Sequence, residues 1–320
     1  MRWTTYALTA ALLAGTTASA VAAPAAPCTP APWKLTRTDT FTLPLGYTRS
    51  QGVTWDGTGW IFSWQAGLTR TDDAYTPSAA GTIPPELLAN NPTVNPVTRD
   101  NDLGGNHIGD IDTYKGLVYA PVEEGGQNAK VIRVNNPDYQ RSYIALFDAR
   151  TLQYTGRKVA LPLAVQAAGV PWVAVDQANG EVYTDEWEMP HDRLNVFDKE
   201  MAFQRFLPLV YPAALGKDFH LTRVQGAKVL GSTMYATRDD DQQTVFAIDL
   251  RTGVVTRLFA LDSTVPDTEM EGLAVRPMPD GSLLHTLTIY DAAFNDTSGS
   301  QSRARVEFDH WAPPVVCRWR

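Results

Sequence analysis

Residues 50–64 read SQGVTWDGTGWIFSW, and four later stretches open in the same way. They are HIGDIDTYKGLVYAPVEE from His107, PWVAVDQANGEVYTDEWE from Pro171, VQGAKVLGSTMYATRDDD from Val224 and EMEGLAVRPMPDGSLLHTL from Glu269. Each copy is a short strand rich in β-branched and small residues, a polar turn with Gly or Ser, and a second apolar strand. Successive copies lie roughly 45 to 65 residues apart, a spacing that fits a repeating four-stranded unit.

The stretches between the copies complete that unit. SYIALFDARTLQYTGRKVALPL from Ser142, LNVFDKEMAFQRFLPL from Leu194 and TVFAIDLRTGVVTRLFAL from Thr244 each hold an apolar strand ending near Asp, a turn, and a second strand with a Leu-rich tip. Each reads as a hairpin. Two hairpins make a blade of four antiparallel strands, A to D, and the fold class is all-β: a five-bladed β-propeller, with a six-bladed ring as the alternative. TDTFTLPL, Thr38 to Leu45, resembles strand D but has no A, B or C before it, whereas the last repeat has A, B and C and no D. The N-terminal strand is therefore expected to close the ring in the last blade, which leaves no open sheet edge there. The Pro-, Asn-, Gly- and Thr-rich stretch from Thr71 to Asn106 reads as an irregular outer part of blade one with a long loop, and the segment from Gly125 to Gln140 as an insertion between strands B and C of blade two.

The chain has 320 residues, 44% of them hydrophobic, a net charge of -8 and no basic run. That composition suits a large globular core and argues against nucleic acid or an anionic membrane as partner. Residues 1–23 have the pattern of a secretory signal peptide: Arg2, a short apolar run, and Ala18-Ser19-Ala20 before the cleavage point. The run is too short for a membrane span. The expected mature protein, 24–320, is one soluble propeller domain, secreted or periplasmic, and a monomer. Cys28 and Cys317, the two cysteines of the chain, are expected to form a disulfide in that oxidising compartment.

In such a ring strand A lines the channel, and the start of A and the end of B share one face. This places Gln51, His107 with Asp110, Trp172, Gln225, and Glu269 with Glu271 beside Glu123, Glu124, Asp185, Glu186, Glu188 and Asp239 to Asp241. His107, Asp110 and Glu271 are candidate catalytic groups, since a His among carboxylates serves acid–base work near neutral pH. Glu123, Glu186, Asp239 and Glu269 are candidate metal ligands, because oxygen-rich openings suit Ca²⁺. Gln51, Trp64, Trp172 and Gln225 are candidate ligand-binding residues for a small molecule, glycan or peptide. Each of these side chains also has an ordinary structural explanation, as a loop cap, a surface charge or core packing.

The strand openings Gln51-Gly52, Gln225-Gly226 and Glu271-Gly272-Leu273 are similar to those of several exported β-propellers, among them plant-type glutaminyl cyclases and phytase-like or lactonase-like enzymes. The resemblance covers a few residues per blade and no family's full catalytic set. It implies an exported propeller, either a metal-dependent hydrolase or a non-catalytic glycan- or peptide-binding module.

Overall fold

A computed structural model describes residues 32–42, 45–84, 87, 107–123, 142–167, 169–187, 192–261, 268–290 and 305–314. The chain opens with β1 (Lys34–Thr42). Blade one follows as β2 (Gly52–Trp55), β3 (Trp60–Trp64), β4 (Gly67–Thr71) and β5 (Pro77–Thr82). Blade two is β6 (His107–Ile108), β7 (Asp112–Tyr114), β8 (Leu117–Glu123), β9 (Tyr143–Asp148) and β10 (Tyr154–Ala160). Blade three is β11 (Ala174–Val175), β12 (Val182–Thr184), β13 (Arg193–Phe197) and β14 (Phe203–Pro208). Blade four is β15 (Val224–Leu230), β16 (Thr233–Arg238), β17 (Thr244–Asp249) and β18 (Val255–Ala260). Blade five holds β19 (Glu269–Val275), β20 (Leu284–Tyr290) and β21 (Arg305–Ala312).

Each blade is an antiparallel sheet whose neighbours in space are neighbours in sequence, with two exceptions. In blade two the inner strand is split, and β6 and β7 both pair with β8. The long-range exception is β1, which pairs antiparallel with β21 from Lys34↔Ala312 to Thr42↔Arg305 and becomes the outer strand of blade five. The ring therefore closes as the repeat pattern anticipates. Five apolar clusters hold it together, each built from two adjacent blades. Val196 meets Val229 between blades three and four, Ile61 meets Val118 between one and two, and Ile144 meets Val173 between two and three. Phe62 meets Phe308 between one and five, and Val245 meets Leu273 between four and five. Five interfaces leave no place for a sixth blade.

Burial falls from the axis outward. Strand β20 is buried at every residue, because both of its faces are covered. The outer strands β5 and β10 have no fully buried residue, and their polar composition matches. The acids that end the third strands of blades two to four build the outer hairpin turns. Asp148 accepts the N–H groups of Arg150 and Thr151, Asp198 those of Glu200 and Ala202, and Asp249 those of Arg251 and Thr252. The repeated Asp at that place is a turn-forming residue.

The Thr71–Asn106 stretch is more regular at its start than its composition implies, since β5 lies within it. The 125–140 insertion, the signal segment, Glu124, Glu188, Cys28 and Cys317 lie outside the described residues. The β1–β21 register ends at Lys34↔Ala312, six residues after Cys28 and five before Cys317. Intact-mass measurement of the mature protein without reductant is expected to show the loss of two hydrogens that a disulfide brings. Two free thiols by alkylation would contradict it.

Candidate functional site

Close packing at the axis sets where side chains can point. Strand A of blade two is broken after Ile108, and Gly109 lets it approach blade three: a Cβ there would lie 1.8 Å from the Pro171 carbonyl oxygen. Asp110 consequently leaves its own sheet. Its N–H donates to Pro171 O (2.9 Å), and its carbonyl accepts Val173 N–H (3.0 Å). Its carboxylate turns into the channel, where Oδ1 accepts Val53 N–H (3.0 Å) and Oδ2 accepts Ala227 N–H (3.1 Å). Lys228 Nζ donates to the same Oδ2 at 2.5 Å. Asp110 is 0% exposed and joins blades one, two, three and four at the axis. Burial pushes its carboxyl up, and Lys228 with the Val53 N–H opposes that shift. The structure thus places Asp110 below the rim expected from the sequence, as a plug across the channel.

Above the plug, the candidates from blades one, two and five come together. Gln51 precedes β2, and Glu271 occupies the bulge of β19 between Met270 and Gly272, so its side chain leaves the regular alternation. Glu271 is 5% exposed. Its side chain lies beside those of Glu269 and Gln51. Burial first, and then the Glu269 carboxylate, hold the Glu271 carboxyl well above its ordinary range. Glu271 therefore resists ionisation more than an ordinary carboxyl, and Glu269 beside it is more exposed. Gln51 Oε1 lies 2.6 Å from His107 Nε2. His107 Nδ1 stands 3.3 Å from Glu123 Oε1 but has no aligned hydrogen bond. A continuous row, Glu123–His107–Gln51–Glu271–Glu269, crosses blades two, one and five.

Blade four supplies a second group beside this row. Asp239 is buried and pairs through Oδ2 with Arg223, while Oδ1 accepts Gln243 Nε2 (3.1 Å). Burial raises the Asp239 carboxyl to about 6, with Arg223 opposing and Glu269 and Asp240 adding to the rise. The Arg223 guanidinium also lies 5.4 Å from the Trp187 ring centre. Trp64 ends β3 on this face and packs its ring against Tyr47 at 5.4 Å, both rings partly exposed. Gln225 sits at the matching bulge of β15 and is partly exposed.

Two anticipated residues are not brought to the mouth. Asp110 is one. Trp172 is the other: it is 1% exposed and packs with Val224 and Ala227 in the core between blades three and four, away from any ligand at the opening. The acids proposed to bind calcium are also differently engaged. Glu123 Oε2 accepts Val170 N–H, and Glu186 accepts Ala167 N–H. Asp239 holds Arg223, and Glu269 lies against Glu271. Among the described residues no three His, Cys, Asp or Glu side chains converge to hold a metal ion. The described residues alone form no calcium cluster, and Glu124 and Glu188 of the same face lie outside them. Melting curves are expected to be unchanged by EDTA and by added Ca²⁺. A melting point that falls in EDTA and recovers with calcium would contradict this.

Sequence reasoning missed Arg223, Gln243, Asp112 and Lys228. The signal for the last two was present, since both are charged residues within otherwise apolar inner strands. His285, away from the mouth, is fully buried, with Nε2 on the Arg276 carbonyl and Nδ1 2.7 Å from His310 Nδ1.

No protein-family model and no curated protein matches the chain. Solved structures do. The glutaminyl cyclase of Myxococcus xanthus is similar with a TM-score of 0.54 at 11% identity, over 89% of this chain and 97% of that one. The RS223 β-xylosidase is similar with a TM-score of 0.52 at 10% identity, over 85% and 94%. The GH43 protein BlXynB of Bacillus licheniformis gives 0.51 at 15% identity over 78% of this chain, which spans about half the length of that protein. At these identities the likeness establishes the fold, a five-bladed β-propeller. It assigns no activity. Among the described residues no helix is long and apolar enough to cross a membrane.

Proposed function

We propose that the protein is an exported hydrolase-type enzyme that acts at the channel mouth by general acid–base catalysis, with Glu269 and Glu271 as the working pair. One observation carries this reading: Glu271 stands buried at the bulge of the inner strand, its carboxyl held well above the ordinary range beside the more exposed Glu269. Two carboxyls that share a proton divide into an acid and a base, and that division suits attack of water on a carbonyl. Glu269 takes a proton from water as its oxygen adds to the acyl carbon. Glu271 delivers its own proton to the carbonyl oxygen. When the carbonyl re-forms, Glu271 recovers that proton and Glu269 passes the other to the departing amine or alcohol. The sum is water plus amide or ester giving acid plus amine or alcohol.

The surrounding acids, Glu123, Glu186 and Asp239, favour neutral or amine-bearing acyl substrates and disfavour phosphoesters. His107 and Gln51 act as positioning residues that hold Glu271 in place. Propellers of this shape include a protein named as a glutaminyl cyclase and two named as glycosidases or their family members, which supports an enzymatic use of the architecture.

The second reading is a non-catalytic glycan- or peptide-binding module, favoured by the partly exposed Trp64–Tyr47 ring pair at the same mouth. A panel of amides, esters and glycosides assayed with wild type, Glu271→Gln and His107→Ala separates the two. The proposal expects turnover of an acyl substrate, abolished in the first variant and reduced in the second. Absence of turnover on every class, with saturable glycan or peptide binding that these variants weaken, would overturn it in favour of the module.

A further inference from the structure

The channel has a second end. Below the Asp110–Lys228 plug, where strands A turn into strands B, lies a cavity of about 330 Å³ lined by residues of all five blades. Thr54 and Trp55 come from blade one, Asp112 and Tyr114 from blade two, Gln177 from blade three and Lys228 from blade four, and Val275 of blade five closes the wall. No step proposed at the mouth involves this pit.

Its chemistry is lopsided. Asp112 is 4% exposed. Its Oδ1 accepts Thr54 Oγ1–H (3.0 Å) and Thr113 N–H (2.8 Å). Its Oδ2 accepts Val175 N–H (2.9 Å), which leaves that oxygen room for another donor. Lys228 gives its ammonium to Asp110 and to the Ala227 carbonyl, so the two acids share one cation. Asp56, also on the lining, is neutralised by Arg70 at 2.9 Å. Gln177 Nε2 is spent on Thr113 O and Val175 O, which leaves its Oε1 as an acceptor. The floor therefore sets two acids beside one ammonium, with more acceptors than donors; burial raises the Asp112 carboxyl, and a cation arriving there, like Lys228, would favour its charged form. The aromatic walls already attract cations of this chain: Arg276 lies 3.4 Å from the centre of the Trp55 ring, and Lys115 Nζ lies 5.0 Å from that of Tyr114.

We propose that this pit is a binding site for a small organic ammonium ion, a primary alkylamine or diamine, whose N–H groups reach Asp112 and the acceptors around it. A metal ion fits less well, since no three carboxylate or imidazole side chains converge there among the described residues. Lys115 is the intramolecular competitor at the rim. Because the ligand would touch several blades, its binding would also tighten the ring and raise the melting temperature.

Isothermal titration of the whole protein with 1,4-diaminobutane and n-butylamine, against butyrate at matched ionic strength, tests this. Saturable one-to-one binding of an amine and none of butyrate is expected. Asp112→Asn should weaken it about tenfold or more, as expected for the loss of a charge-assisted contact. Lys115→Asn, a surface change at a residue with φ of 48° that Asn adopts readily, should tighten it. Glu271→Gln should leave it unchanged, which separates this site from the acidic mouth. Absence of saturable amine binding to wild type overturns the proposal. So does preference for butyrate, or amine binding that Glu271→Gln abolishes and Lys115→Asn leaves alone.

Discussion

Asp110→Ala is expected to destabilise the protein by about 3–5 kcal/mol, the cost of removing one partner of a buried ion pair. Three donors lose their acceptor at once. Lys228 keeps an ammonium that is 3% exposed with no carboxylate on it, and the N–H groups of Val53 and Ala227 face a void. For a domain of this size that corresponds to a fall in melting temperature of roughly 10 °C. Removing the charge of both partners, as in the double variant Asp110→Asn with Lys228→Met, should recover a large part of the loss, because no unpaired charge then remains. Thermal melts of the two variants decide the matter. A single variant that melts like wild type would show that the axial plug contributes nothing to ring closure.

Glu271→Gln is expected to lower kcat/KM about 10²- to 10⁴-fold, the usual contribution of a positioned proton donor. The wild-type pH profile should fall on the alkaline side as Glu271 loses its proton, and the variant should lose that limb. The same substitution is expected to stabilise the fold, and the sign follows from proton linkage. The folded-state pKa of Glu271 is raised, whereas the unfolded value is about 4.3. Its contribution to stability is full below the unfolded value and is lost as pH rises through the folded one. A Gln, which never ionises and donates to Glu269 through its amide, escapes that loss. At neutral pH and above the variant should therefore melt higher than wild type while turning over far less substrate, the opposition expected where stability has been given up for function. Loss of both activity and stability would mark Glu271 as a structural residue only.

The ring and its closure were legible because they rest on local patterns. Hairpins repeat, Asp marks the outer turns, and a D-like strand stands alone before the first A strand. The mouth was legible for a related reason. A polar residue before the axial Gly has no apolar purpose, and in blade five that residue, Glu271, lies at the bulge of the inner strand. Depth along the axis was not legible. Whether Asp110 stands at the rim or inside depends on a break after Ile108 that brings its backbone to Pro171, a contact between blades that no spacing reveals. Trp172 follows from the same contact, since pairing with Asp110 turns its ring into the core. The calcium expectation counted acids, and the donors of this chain that engage them were not legible. Those donors are the backbone N–H groups of Val170 and Ala167, which carry no sequence signature, and Arg223, sixteen residues before its partner Asp239.

The most direct test of the mouth as an acid–base site needs no substrate. Carbon-13 NMR of glutamate side-chain carboxyls, titrated in wild type and in Glu271→Gln, reads the protonation of the pair itself. One glutamate is expected to titrate well above the ordinary carboxylate range in wild type and to vanish from the variant's spectrum. Glutamates that all titrate in the ordinary range would contradict the proton-sharing pair, and with it the proposed chemistry.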